Sequence, residues 1–239
     1  VPLRLIPRRD RQLNRLVKAA SVVECKKKDL LYTQGDGAKH IFIPRSGHMR
    51  LTTQNGKSRN SKTVAILGPN ELFGTEAITL GNERLYTAIA GSDCELYALK
   101  SKQMVKALRK SPATLRSLLS SQGEDLAKLR AIVGHSGAPS RARIAHVLLD
   151  LGCRLGHDNG RRIYLGHWFT HQEIADLAGV HRSTVTTAIN DWIYQGVLKQ
   201  SLKNLVINKP GALRKNGLQN TGDVFRRRIV SIPLKSWTG

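Results

Sequence analysis

Residues 170–193 read Thr-His-Gln-Glu-Ile-Ala-Asp-Leu-Ala-Gly-Val-His-Arg-Ser-Thr-Val-Thr-Thr-Ala-Ile-Asn-Asp-Trp-Ile. Thr170 followed three residues later by Glu173 is a capping box, which opens a helix by satisfying two of its free N–H groups. Ile174, Ala175, Leu177 and Ala178 supply the buried face of that helix. Gly179 stands where a sharp turn needs a residue without Cβ strain, and Val180 is read as the buried residue of the turn. A second helix starts near His181, with Val185, Ala188, Ile189 and Trp192 or Ile193 inward. Helix, glycine, apolar residue and helix at this spacing make a helix-turn-helix.

The other face of the second helix carries Arg182, Ser183, Thr186, Thr187 and Asn190. All can hydrogen-bond, and their lengths suit base edges in a major groove. Arg182, near the helix start, fits a bidentate bond to guanine O6 and N7. Thr170, His171 and Gln172 begin the first helix, where side chains and free N–H groups grip phosphate. Beyond the motif, Val197–Gln200 and Leu202–Asn208 alternate around a polar connection. They predict a β-hairpin wing whose Lys203 meets the phosphate backbone.

Upstream, residues 140–155 read as a helix with Ile144, Val147, Leu148 and Leu151 inward, and residues 162–165 as a short strand. Residues 134–139 (Gly-His-Ser-Gly-Ala-Pro) form a break and hinge. Before it, Leu115, Leu119, Gln122, Leu126, Leu129 and Val133 are spaced 4, 3, 4, 3, 4. That is a heptad seam with one polar interruption, Gln122. A heptad selects a long helical partner, so a dimer seam is favoured over packing on the chain's own core, which usually gives a wider stripe. Residues 101–110 predict a short amphipathic helix, and Pro112 a first-turn residue of the next. From Val22 to Leu99 short alternating runs such as Ile41-Phe42-Ile43 and Glu95-Leu96-Tyr97-Ala98-Leu99 lie between turn signals such as Ser46-Gly47 and Asn55-Gly56. Many short strands at even spacing predict a β barrel or jelly roll. A short helix over 10–20 precedes them.

The chain has 239 residues, with 39 Lys+Arg against 17 Asp+Glu, a net charge of +22. A polyanionic partner is implied, nucleic acid first and an anionic membrane surface second. The excess spreads over both halves of the chain, so bulk charge gives salt-sensitive attraction and a few groups such as Arg182 must give specificity. There is no apolar run long enough to span a membrane and no signal-peptide core near Arg4, Arg8, Arg9 and Arg11; a cytoplasmic, nucleoid-associated protein without a membrane partner is expected. Cys25, Cys94 and Cys153 are far apart, and the eight histidines show no metal spacing. No disulfide framework, metal or iron–sulfur cluster is expected. Nucleophile–base pairs, phosphate loops and paired carboxylates are missing, so the chain is read as no enzyme.

A jelly roll, a long dimer helix and a winged helix-turn-helix, in that order, resemble the Crp/Fnr superfamily of bacterial transcription regulators over roughly residues 20–210. Residues 72–88, Leu-Phe-Gly-Thr-Glu-Ala-Ile-Thr-Leu-Gly-Asn-Glu-Arg-Leu-Tyr-Thr-Ala, look like that family's effector cassette, in the form seen in the cyanobacterial nitrogen-regulator (NtcA) branch. The resemblance implies a homodimer acting on palindromic double-stranded DNA and on RNA polymerase, as activator or repressor. It also implies a small anionic effector held by Gly74, Thr75, Glu76 and Arg84 from the cassette and Gln122 from the dimer helix. The residue pattern departs from two known cases. Gln122 and Ala127 stand where 2-oxoglutarate recognition uses an arginine and a glutamate. Gly74-Thr75 and Arg84-Leu85 replace the Gly-Glu and Arg-Ser pairs of the cyclic-nucleotide form. Both departures speak against those two ligands. The cassette has no Cys or His for haem. Arg84 also reads as a structural ion-pair residue, and Glu76 as a cap. In the recognition helix Thr187 and Ser183 replace an arginine and a glutamate, which implies an altered half-site.

The expected architecture is α+β: a jelly-roll, cyclic-nucleotide-binding-like sensor (1–110), a dimerisation helix (111–136), a winged helix-turn-helix (137–210) and a basic tail (211–239). Two further functional classes fit the same composition. One is a sensor acting mainly through protein contacts; the other is a nonspecific nucleic-acid coating protein.

Overall fold

Strands that are apolar at consecutive positions and buried at each of them must be covered on both faces, and Ile41-Phe42-Ile43 is such a run. In the computed structural model, which describes residues 11–54, 61–79, 83–116, 118–120, 122–123, 126, 137–165, 169–201 and 204–218, the chain divides into two units, Pro2–Arg130 and Ala131–Gly239.

The first unit opens with α1 (Arg11–Lys18) and continues through β1 (Ser21–Cys25), β2 (Leu30–Tyr32), β3 (His40–Ser46), β4 (Met49–Gln54), β5 (Ser61–Leu67), α2 (Glu76–Thr79), β6 (Thr87–Ala90), β7 (Cys94–Lys100) and α3 (Ser101–Lys110). All strand pairing is antiparallel, in a three-stranded sheet β1-β7-β3 and a four-stranded sheet β2-β6-β4-β5. Between the sheets lie Tyr32, Phe42, Met49, Leu51, Phe73, Ala88, Leu96 and Ala98. A second core holds Leu13 and Val17 of α1, Met104 of α3, Leu118, and Ile41, Ile43 and Leu99 of the strands. Thus β3 and β7 send alternate side chains into two different cores, as the period of two requires. This accounts for the unbroken apolar run at Ile41-Phe42-Ile43.

Residues 112–116, 118–120, 122–123 and 126 are helical. Thr114 and Leu118, one turn apart, are buried, whereas Leu115, Leu119 and Leu126 are exposed by 42%, 62% and 47%. One stripe of this helix is used by its own unit, and the heptad positions face away from it. Leu129 and Val133 lie outside the described residues.

The second unit contains α4 (Ser140–Leu155), β8 (His157–Asp158), β9 (Ile163–Leu165), α5 (His171–Ala178), α6 (Arg182–Tyr194), β10 (Leu198–Ser201), β11 (Asn204–Ile207) and α7 (Pro210–Leu218). Its strands form one sheet in the order β10-β11-β9-β8. Ile144, Leu148, Leu151, Ile163, Ile174, Val185, Trp192, Ile207 and Leu213 are among its fully buried side chains, at most 1% exposed. The sequence reading placed a tail from residue 211; instead Pro210 sits in the first turn of α7, its fixed φ suiting that position, and Leu213 is buried completely as α7 packs on α4. Val180 and Leu177, read as buried, are only half-buried.

Candidate nucleic-acid interface

The first helix of the motif is capped as its sequence requires. The Thr170 hydroxyl accepts from the Glu173 N–H at 3.1 Å, and the Thr170 N–H donates to Glu173 Oε2 at 2.7 Å. The helix ends at Gly179 with φ +61°, left-handed geometry that favours glycine, and its N–H caps the carbonyls of Ala175 and Asp176. A left-handed residue after the last turn satisfies carbonyls that would otherwise lack donors. This fixes where α6 begins.

On α6, Val185, Ala188, Ile189 and Trp192 are buried, and Arg182, Ser183, Thr187 and Asn190 are exposed. The exposed set shares the side opposite the core, as the helical period dictates. Thr186 is half-buried, and its hydroxyl donates to the Arg182 carbonyl at 3.1 Å and lies 2.8 Å from His171 Nδ1. That contact ties the start of α5 to the middle of its first turns on α6. The sequence reading missed this role for Thr186 and His171, because two residues fifteen apart carry no local signal. Burial first, and then the positive charge of Arg182, hold the His171 ring below the ordinary histidine pKa. Gln172 is exposed and donates to Asp176 Oδ1 at 2.8 Å. Arg141 of α4 pairs with Asp191, its guanidinium 5.3 Å from the Trp192 ring centroid, and so braces α6 from behind. The wing strands β10 and β11 pair in the register Leu198↔Ile207 to Ser201↔Asn204. Lys203 lies outside the described residues.

In the first unit, the cassette residues gather around one guanidinium. The Arg84 backbone is pinned on both sides, its N–H to the Asp36 carbonyl at 2.9 Å and its carbonyl to the Gly35 N–H at 2.8 Å. The side chain is buried. Nη1 donates to Glu76 Oε1 at 3.1 Å and to the Gly74 carbonyl at 3.3 Å, and Nη2 donates to the His40 carbonyl at 2.7 Å. The guanidinium carbon lies 4.1 Å from the Tyr32 ring centroid and 5.4 Å from that of Phe42. Gly74 has φ +76°, and a Cβ there would come within 2.6 Å of Arg84 Nη1. Glu76, at the start of α2, is buried with its partner. The side chains therefore take the ion-pair arrangement, with Glu76 as the anion that Arg84 meets. Tyr32 was not signalled by the sequence. Burial and then the Glu76 carboxylate push its phenol above the ordinary tyrosine pKa. Thr75 is half-buried, and Gln122 is exposed on the helix. Among the described residues, no group of three or more His, Cys, Asp or Glu is placed to hold a metal ion. No helix there is long and apolar enough to cross a membrane.

Comparison with known proteins agrees with both halves of this description. Residues 22–111 match the model of the cyclic nucleotide-binding domain, and residues 142–216 that of the Crp-like helix-turn-helix domain. The chain is 32% identical over 174 residues to the cyclic AMP receptor protein of Thermus thermophilus, covering 71% of this chain and 75% of that one. It is 27% identical over 190 residues to the global nitrogen regulator of Synechocystis sp., covering 77% and 82%. FixK2 from Bradyrhizobium japonicum shares the fold, with a TM-score of 0.71 at 20% identity over 82% of this chain and 96% of that chain. A capped helix-turn-helix with a polar outer face, a double-sheet barrel with a buried cassette arginine, and a relative matched across both units lead to one conclusion: the chain belongs to the Crp/Fnr superfamily of helix-turn-helix transcription regulators.

Proposed function

We propose that the protein is a homodimer that reads a palindromic DNA site, with α6 of each protomer in a major groove and half-sites about 34–36 Å apart. The observation that carries this is the exposed row Arg182, Ser183, Thr187 and Asn190 on a helix whose other face is buried. Arg182 reads guanine. Thr170, His171, Gln172 and, on the wing, Lys203 hold the backbone, and Thr186 adds its methyl group beside the row. The exposed leucines Leu115, Leu119 and Leu126 support a seam that continues through Gln122 to Leu129 and Val133. On this reading residues 111–136 join a sensor to a DNA-binding module, in the cytoplasm, and the dimer acts on transcription by contact with RNA polymerase rather than by catalysis.

The relatives' names, a cyclic AMP receptor and global nitrogen regulators, support a small effector at Gly74, Thr75, Glu76 and Arg84, with Gln122 reaching from the helix. An anionic effector must displace the Glu76 carboxylate from Arg84, because the guanidinium is already engaged.

Competition binding tests the reading. A palindrome selected from random DNA should be preferred ~10³-fold or more over bulk DNA. Arg182→Ala should cost ~1–3 kcal/mol and relax choice at one base pair of each half-site. Equal affinity for selected and random DNA would make the protein a coating protein. Unchanged binding by Arg182→Ala would remove α6 from the role of reader.

A further inference from the structure

Two buried thiols lie outside everything the DNA-binding reading uses. Cys25 ends β1 and Cys94 begins β7, and in the antiparallel register they are direct partners. Facing residues of such a pair have Cα atoms about 4.5–5.5 Å apart, within the ~4.4–6.8 Å that a disulfide spans. Both side chains point into the core between the two sheets. Cys94 Sγ lies 3.4 Å from Met49 Sδ. Neither cysteine is in a disulfide in this structure.

Their cover is thin. Cys25 leads directly into the exposed residues Lys26–Asp29, and Cys94 follows exposed Asp93. The Asp93 carboxylate accepts from the Lys27 N–H at 2.9 Å and from Lys26 Nζ at 3.4 Å. The charged turn that follows Cys25 is held by this ion pair and by backbone bonds to β6, from the Lys28 N–H to the Ala90 carbonyl at 2.8 Å and from the Ala90 N–H to the Asp29 carbonyl at 2.9 Å. The ion pair itself adds little to that hold, because exposed ion pairs contribute little.

We propose that Cys25 and Cys94 are a redox modification site that closes to a cross-strand disulfide, with a hydroperoxide as oxidant. The Cys25 thiolate attacks one peroxide oxygen, the O–O bond breaks, and the departing oxygen takes up a proton and leaves as water (or as an alcohol from an organic hydroperoxide). Cys25 is then a sulfenic acid. Cys94 attacks the Cys25 sulfur, the S–S bond forms, the S–O bond breaks, and the hydroxide takes the Cys94 proton and leaves as water. Two electrons pass from the sulfurs to the peroxide, and two thiol protons end in the products. The order of attack follows from the contacts. Burial and then the neighbouring Cys25 push Cys94 up to about 12, whereas the rise that burial causes at Cys25 is partly offset by its neighbour Cys94, so Cys25 gives up its proton first. Burial raises Cys25 as well, so closure answers sustained rather than brief exposure to peroxide.

The test uses the full chain, treated with hydrogen peroxide, alkylated and mapped by mass spectrometry without reduction. The expected product has lost two hydrogens, joins the peptides containing Cys25 and Cys94, and returns to the free thiols with dithiothreitol. Cys153→Ser should give the same cross-link. Cys94→Ser should leave a sulfenic acid on Cys25 that dimedone traps. The proposal is overturned if peroxide modifies Cys153 while Cys25 and Cys94 stay unlinked, or if either of them pairs with Cys153 instead. Because the cross-link is read in the unmodified sequence, a variant that fails to fold does not alter the outcome.

Discussion

Arg84 illustrates how a single residue can be costly and still be retained. Its charge is buried, and three acceptors and two aromatic faces compensate it. Removing one member of a buried pair strands the other, so Glu76→Ala should lower stability by ~3–5 kcal/mol in denaturant titration. The double substitution Glu76→Leu with Arg84→Met should recover most of that loss. If Glu76→Ala is neutral, the pair is not desolvated as described. His171 offers a second residue-scale test. Burial and Arg182 keep its ring neutral near pH 7 in the free protein. A DNA phosphate at the start of α5 favours the protonated ring, so binding takes up a proton and affinity rises as pH falls toward the histidine range. His171→Gln should flatten that profile in anisotropy titrations. An equally steep profile in the variant would place the titrating group elsewhere.

At the scale of elements, the helix that starts at residue 112 separates two roles one residue apart. Leu118 is 8% exposed and belongs to the core beneath α1 and α3, whereas Leu119 is 62% exposed on the heptad side. Leu118→Ala should cost ~2–5 kcal/mol of folding stability. Leu119→Glu should leave the fold intact and yield a monomer in sedimentation. A Leu119→Glu protein that still sediments as a dimer would remove the seam. The helix-turn-helix was legible in the sequence because its signals are local: a capping box four residues long, a glycine at the turn, and one apolar period of 3.6. The helix Ser140–Leu155 was legible for the same reason. The α7 helix was not, because Gly211 and Gly217 weaken it and one apolar anchor, Leu213, holds it in place. The partners of Arg84 outside the cassette were also illegible. Tyr32 of β2 and His40 and Phe42 of β3 lie far from residues 72–88 in sequence, and only the packing of the strands brings them to Arg84. Register is set by turns and by cross-strand packing, which no short window contains.

For the whole molecule, the net charge of +22 makes ionic strength the controlling variable. A dimer touching roughly six to ten phosphates should lose ~10³–10⁵ in affinity between 50 and 200 mM salt. The preference for the palindrome, which rests on groups such as Arg182, should change far less over the same range. A salt-independent affinity would mean that phosphate contacts are not its source. The two-sided burial of β3 and β7 has a consequence of another kind. The strands of the sheet β2-β6-β4-β5 carry half-buried or exposed residues between their buried ones, but Ile41, Phe42, Ile43, Leu96, Ala98 and Leu99 belong to strands covered above and below. Their amides should be the last of the barrel to exchange in heavy water, opening only when the sensor unit unfolds as a whole. In a deuterium uptake series these two strands would serve as an internal clock for global unfolding, against which the faster opening of every other strand of the unit can be timed.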